Sequence, residues 1–573
     1  MVEWSEGRSR TDCPHSTVCI TIVHLYSAES LIVTDLSETI KAINSFKSRS
    51  SCGPCGFRPL HLKLFLLYCT NLADNNCLYN RFIAGLTRLC NLLFSGLLPK
   101  PLHQIFSCST LIAFNKPAVG GRHGIRPISI GLCIRRLAGK LAVSHIRRLK
   151  PNLLLPHQIG FACPYAIEAA VHSARHFLNC LAFNEGLLCL DFCNAFGNLS
   201  RTAMFEAVYV NLSLLYNYAV ICYGQTSVMM FGDRVILSAL GIGQGCNLSG
   251  IFWGLTSKPL LDLLTSRLHF AYCDDFTLGG AGSDLLTDLQ YIITNGPAIG
   301  LRLNFSKSQL FTLDPGLIEQ ALLIAPGLSI NPPAQAQLLG ISLFPTPGDV
   351  LQSKLQQYRI FVDQIPFLNS HDALFLLIKC FGHSKIMHLL RTNFSIDPEF
   401  LHNYDNLSRF ALELIYGQKV TDQQWLDASR PIKFGGIGLR SVYDLHLPAY
   451  LSSRFASQDL TQTLLHCDII GDQFAVEALH DWQAFVGGPF FPDDRNSQSA
   501  WDKIYVLVTA RICSTPLPLA HSSSEALTSA FHAPHAPTVP TTFFLDAPNS
   551  SSRLSQLEVQ SFLTSYFSSS THV

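Results

Sequence analysis

Two adjacent aspartates, Asp274 and Asp275, constrain this chain more than any other feature. They sit in HFAYCDDFTLGG, between two apolar, β-prone pieces, Phe270 to Cys273 and Phe276 to Leu278. Turn residues between two such runs read as a hairpin, here with both acids at its tip. Adjacent carboxylates repel, so holding both ionised in a cleft needs cations nearby. Standing alone, an Asp-Asp pair is more often an ordinary acidic turn.

A third carboxylate changes the argument. In GLLCLDF, the run from Leu187 to Leu190 is continuous, short and apolar, and it ends at Asp191. That pattern fits a strand buried on both faces, with the acid where a sheet opens to solvent. A helix is expected to restart with Ser200 as N-cap. An acid leaving a strand is by itself usually a turn or cap residue. Three carboxylates on neighbouring strands would instead make a cradle of hard oxygen ligands for two Mg²⁺ ions, with Mn²⁺ as the alternative. Two such ions can activate a 3′-hydroxyl and stabilise a leaving pyrophosphate.

The net charge of +1 argues neither for nor against nucleic acid, but its distribution does. Lys116, Arg122, Arg126, Arg135, Arg136, Lys140, Arg147, Arg148 and Lys150 form a stretch without Asp or Glu. Such a run makes a local positive field, and phosphate is the commonest partner of one. The plainer reading is a solvated helix face. Apolar residues are 48% and charged residues 14% of the chain, so a large core is expected rather than disorder. The 19 scattered cysteines and the polar start predict reduced thiols and an intracellular protein, in nucleus or cytoplasm. The run from Ala207 to Tyr223 is apolar, but Asn211, Ser213 and Asn217 interrupt it. A span needs about 20 apolar residues, so a core helix is expected and no membrane partner.

The expected organisation has five parts. Residues 1–95 form a leader and helical extension, and 96–345 hold alternating strands and helices. A helical region follows over 346–420 and another over 421–514. The last part, 515–573, is rich in Ser, Pro and Ala and reads as a flexible tail.

The order of the motifs brings in a family. DFCNAFGNLSR (191–201), GIGQGCNLSG (241–250), YCDD (272–275), GLRLNFSKS (300–308) and LLGISLF (338–344) resemble successive motifs of retroelement reverse transcriptases. Upstream, the segment from Lys116 to Ile130 resembles the family's fingers hairpin, and GPCGFRPLHL (53–62) the piece before it. PIKFGGIGLRS (431–441) resembles a stretch found in some elements of the non-LTR type. The likeness covers roughly residues 35–460.

This resemblance implies an α+β fold in the right-hand polymerase arrangement. Basic fingers, a palm with an antiparallel sheet, a helical thumb and a helical C-terminal region are expected. It implies addition of deoxynucleotides (dNTPs) to a DNA or RNA primer on an RNA template. Asp191 and Asp274 would ligate both metals, with Asp275 assisting. Lys116 and Arg126 would meet the triphosphate, Phe196 would lie under its sugar, Gln244 would shape the pocket, and Lys307 could donate a proton to pyrophosphate. The chain departs from the family at Asn247, Gly197 and Cys55, where Pro, Asn and Asp are usual. A weakened relic that only binds nucleic acid is the other reading in this class. An RNA polymerase also uses Asp-Asp turns, but Phe196 disfavours it.

Three smaller motifs are read otherwise. Cys52 to Cys55 spells CGPC, but polar KSRSS precedes it and Pro59 interrupts the helix a redox motif needs. Cys13, His15, Cys19 and His24 fit no standard zinc spacing. His172 and His176 have no acid between them and read as one helix face.

Overall fold

The computed structural model describes residues 32–71, 76–115, 125–344, 348–466 and 473–512. Lys116, Arg122, Gly120, Gly121, Gly124, the Cys13–His24 group and the Ser-rich tail lie outside the described residues.

The central run of GLLCLDF becomes β3 (Glu185–Leu190). It lies in the middle of a five-stranded sheet ordered β6 (Leu268–Tyr272), β7 (Asp275–Ala281), β3, β8 (Gln309–Thr312), β9 (Ser329–Asn331). Successive strand residues point to opposite faces. Leu187 therefore packs with Ala170 and Phe177 of the helix Ala166–Asn179. Leu188 and Leu190 enter the opposite core, beside Leu285 and Leu289 of the helix Gly282–Asn295. A strand covered on both faces has no use for polar alternation, which explains the unbroken apolar run.

The β6–β7 hairpin forms as expected, with Tyr272 paired to Asp275 and Cys273-Asp274 as its loop. β3 runs antiparallel to β7, and the last registered pair is Leu190 with Phe276. The next position along each strand is Asp191 and Asp275. Pairing alone thus brings the separated acids side by side, because paired strands lie about 5 Å apart.

The expected basic hairpin is also present. β1 (Ser109–Asn115) pairs antiparallel with β2 (Ile125–Gly131). With β4 (Ser227–Phe231) and β5 (Arg234–Ser238) they form a second sheet, ordered β2-β1-β4-β5. The N-terminal helices Leu36–Asn44, Pro59–Asn71 and Asn76–Phe94 join the main core through Ile43, Leu62, Ile83 and Leu93, together with the helix Cys133–Leu149. These helices are therefore packed into the body of the fold.

Beyond residue 348 the described residues are mainly helical. One core runs from Leu351 to Ala449 and does not divide at residue 420. The helix Val442–Leu465 ties this region together. Its start belongs to that core, Tyr450 and Leu451 pack with Trp482 and Trp501, and Leu464 reaches the core behind the palm sheet. Arg175, buried, fastens palm to thumb. It donates to the carbonyls of Ser342, Leu343 and Thr392 and to Asn393 Oδ1.

Among the described residues, stretches 201–223 and 370–392 are long and apolar enough to cross a bilayer. Both are built into packed cores: Met204, Val208, Tyr218 and Ala219 in one, Leu374, Leu377 and Ile386 in the other. The described cysteines are free thiols. His172 is buried, with Nε2 3.3 Å from Ser453 Oγ.

Candidate active site

The two sheets and the loops between them enclose a cavity of about 1100 Å³. Its walls include Asp191, Asp274 and Asp275, and also Arg126, Gln244 and Lys307. Six of the eight expected site residues are thus brought to one cleft. Lys116 lies outside the described residues. Phe196 is not on the wall. Its neighbours Ala195 and Gly197 line the cavity, while its own ring stacks on Trp253 at 5.1 Å. The ring is half-buried, held by Trp253 between these two wall residues.

Asp191 is held from three directions. Its backbone N–H donates to Ser308 Oγ at 3.1 Å. Its carbonyl accepts from the Asn304 backbone at 2.8 Å. Asn304 Nδ2 donates to the carboxylate itself at 3.0 Å, and Ser306 donates to Asn304 Oδ1. The stretch 300–308 thus clamps the first acid and presents Lys307 beside it.

Burial pushes the Asp275 carboxyl up to about 6, helped by the like charges of Asp274 and Asp191, while Arg126 opposes the shift. Among the described residues no group of three His, Cys, Asp or Glu side chains is arranged to hold an ion unaided. The donor set nevertheless fits Mg²⁺ or Mn²⁺: all ligands are hard oxygens, the neighbouring acids repel one another, and Mg²⁺ commonly completes its shell with water and substrate phosphates.

The loop carrying Gln244 is docked through its backbone. Ser129 N–H donates to the Gln244 carbonyl at 2.6 Å, and Ile242 N–H to the Phe196 carbonyl at 2.8 Å. Gly245 has φ 113, and a Cβ there would meet the Ser129 carbonyl at 2.7 Å, so this close approach requires glycine. Arg201 braces the loop, donating to the carbonyls of Gly241 and Gln225 and to Ser238 Oγ. Gly197, a departure from the family pattern, also has a local reason. A Cβ there would lie 2.4 Å from Asn194 Nδ2. Asn247 lines the cavity.

The basic run divides. Arg126, Arg135 and Arg136 line the cavity, with Arg135 also donating to the Ser107 carbonyl and Arg136 to the Ser51 carbonyl. The rest of the described run is committed elsewhere: Lys140 to the Ser45 carbonyl, Arg148 to Glu38 and Lys150 to the Asn211 carbonyl. Arg147 lies over the Phe161 ring. Those residues brace the N-terminal helices and neighbouring loops.

Sequence reasoning singled out neither Arg201 nor Asn304, though both lie inside the quoted motifs. A charged residue just inside a helix start and an amide three positions before Lys307 were the available signals.

A five-stranded palm, a second sheet over it, a helical thumb and an acidic cleft between them define the right-hand polymerase fold of the reverse transcriptase type. Residues 115–343 match the family model for reverse transcriptase (RNA-dependent DNA polymerase), and a reverse transcriptase domain is present there. Similar solved structures include apo telomerase from Candida tropicalis truncated from its C-terminal domain, at 15% identity and TM-score 0.28, covering 36% of this chain and 50% of that one. Another is telomerase from Candida albicans in complex with a TWJ fragment of telomeric RNA, at 11% identity and TM-score 0.34, covering 68% and 65%. The chain thus spans half to just under two-thirds of these two chains. No curated protein matches the chain.

Proposed function

We propose that this chain is an RNA-directed DNA polymerase, adding deoxynucleotides to a primer 3′ end on an RNA template. The observation that carries this reading is the meeting of Asp191, Asp274 and Asp275 with Arg126, Gln244 and Lys307 on one cavity wall. Asp191 and Asp274 would hold two Mg²⁺ ions, with Asp275 assisting. Bound there, the ions would supply charge stabilisation for the nucleophile and leaving group of an in-line phosphoryl transfer.

The chain's own residues do the remaining work. Arg126 sets a fork-shaped, permanently charged donor against the triphosphate. Lys307 stands exposed on the same wall, where it can neutralise or protonate pyrophosphate. The loop of Gln244 presents a rigid backbone to the base and sugar. Asn304 keeps Asp191 in one rotamer before substrate arrives. Preorganisation of this kind lowers the reorganisation needed in the transition state. The motif at 431–441 supports an origin in a retroelement of the non-LTR type.

The test is primer extension on poly(rA) with Mg²⁺ or Mn²⁺, with Asp274→Asn as the control. Extension by the wild type and its loss in the variant are expected. A wild type that binds primer–template without extending it would replace this reading with that of a binding relic.

A further inference from the structure

The loop that carries the second and third acids is strained. Cys273 has φ 56, in the left-handed region that residues other than glycine rarely adopt. A side chain held there persists only where its surroundings offset the cost. Here the surroundings can be named. Gln158, 1% exposed, lies far upstream, after Pro156, and forms an isolated bridge with Ala271 of β6. Its Oε1 accepts from the Cys273 N–H at 2.9 Å, and its Nε2 donates to the Cys273 carbonyl at 3.0 Å. One primary amide therefore grips both backbone groups of the strained residue. Trp253, fully buried on the helix Ser249–Leu261, donates Nε1 to the same carbonyl at 2.8 Å.

The fit is close on the remaining side. Gly160 N–H donates to Gln158 Oε1 at 3.1 Å. A Cβ on Gly160 would lie 2.3 Å from the Cys273 nitrogen. The turn is thus held by directional bonds inside a space shaped for it. Those bonds go to the loop backbone and not to the carboxylates, so they act on where the acids point.

We propose that Gln158, aided by Trp253, is the positioning residue of the acidic turn. Its amide holds Cys273 left-handed, which aims Asp274 and Asp275 into the cleft and sets the affinity for divalent cations. The inference rests on reading these acids as cation ligands. It adds to that reading a residue whose side chain meets neither cation nor substrate.

The experiment measures Mn²⁺ binding to the full chain by electron paramagnetic resonance, separately from primer extension. Asp274→Asn is expected to lose binding. Gln158→Leu keeps the bulk but removes both amide contacts, and it is expected to weaken Mn²⁺ by at least about tenfold, the scale of lost outer-shell partners. Trp253→Phe keeps an aromatic ring without the donor and is expected to weaken it less. It also provides the reading if Gln158→Leu does not fold. The decisive variant adds Cys273→Gly to Gln158→Leu. Glycine takes a positive φ without strain, so most of the lost affinity should return. A merely structural role in the core would not be rescued at Cys273.

Unchanged Mn²⁺ affinity in Gln158→Leu, or in Trp253→Phe where that variant alone folds, overturns the proposal. So does failure of Cys273→Gly to restore binding, and so does a wild type that binds no Mn²⁺. A wild type that binds Mn²⁺ in this clamp-dependent way yet extends no primer sinks the polymerase reading and leaves the positioning role standing.

Discussion

Replacing Asp275 with Asn should stabilise the cation-free protein while abolishing its chemistry. In the fold, Asp275 ionises near 6 against an ordinary 3.8, through burial and its neighbours Asp274 and Asp191. A rise of about 2 units corresponds at face value to roughly 3 kcal/mol. The carboxyl is surrounded by protein on most sides but keeps one face open to the cleft, and solvent screening there reduces this to about 1 kcal/mol. The sign follows from proton linkage. Below pH 3.8 the group is protonated in both states and contributes no difference. As pH rises from there to about 6, the unfolded chain ionises first and folding loses stability. Above that window the full cost remains. Asp275→Asn never ionises, so it should melt about 1 °C above wild type near neutral pH in EDTA, and level with it near pH 4. Millimolar Mg²⁺ or Mn²⁺ should raise the wild-type midpoint, since ligands that bind only the folded state stabilise it, and should raise the variant's less. Thermal unfolding at the two pH values, with and without the cation, makes the measurement. A variant that melts at or below wild type at neutral pH without cation would show that neither burial nor the neighbouring acids penalise the Asp275 charge in the fold.

Three further outcomes are expected. Arg201→Met removes the brace beneath the Gln244 loop; a stability loss of about 3 kcal/mol and a roughly tenfold rise in nucleotide KM are expected, and steady-state extension with an unchanged KM would argue against the brace. Phe196→Ala removes a half-buried ring beside the cleft, so rate should fall about tenfold and the ratio of ribonucleotide to deoxynucleotide use should rise at least about tenfold; single-nucleotide extension with an unchanged ratio would place the discriminating contact elsewhere. Arg175→Met leaves three carbonyls between palm and thumb without their donor, and denaturant unfolding should show a loss of about 3 kcal/mol; a loss within about 0.5 kcal/mol would mean the joint is held by apolar packing alone.

What the chain alone determines is local. The unbroken Leu187–Leu190 run makes a strand covered on both faces, and its last residue hands Asp191 to the open end of the sheet. Two β-prone pieces around Asp274 and Asp275 make the hairpin, and Ser200 caps its helix by accepting from the Ala203 N–H. That the acids share a cleft was anticipated from the resemblance of the motif order to reverse transcriptases and not from local pattern, since β3 and β7 pair although three other strands lie between them in the sequence. Side-chain partners across the fold were decided only in three dimensions. An aromatic five places after Asp191 is legible, but its stack on Trp253 is not. The basic run is legible as charge, yet helix geometry sends Arg136 to the cavity and Arg148 to Glu38. Gln158 meets Cys273 across 115 residues, and nothing in its local sequence marks it. Periodicity and turn chemistry record what a residue does to its own backbone. A contact made after the chain has folded back leaves no such trace, because its energy depends on where distant elements pack.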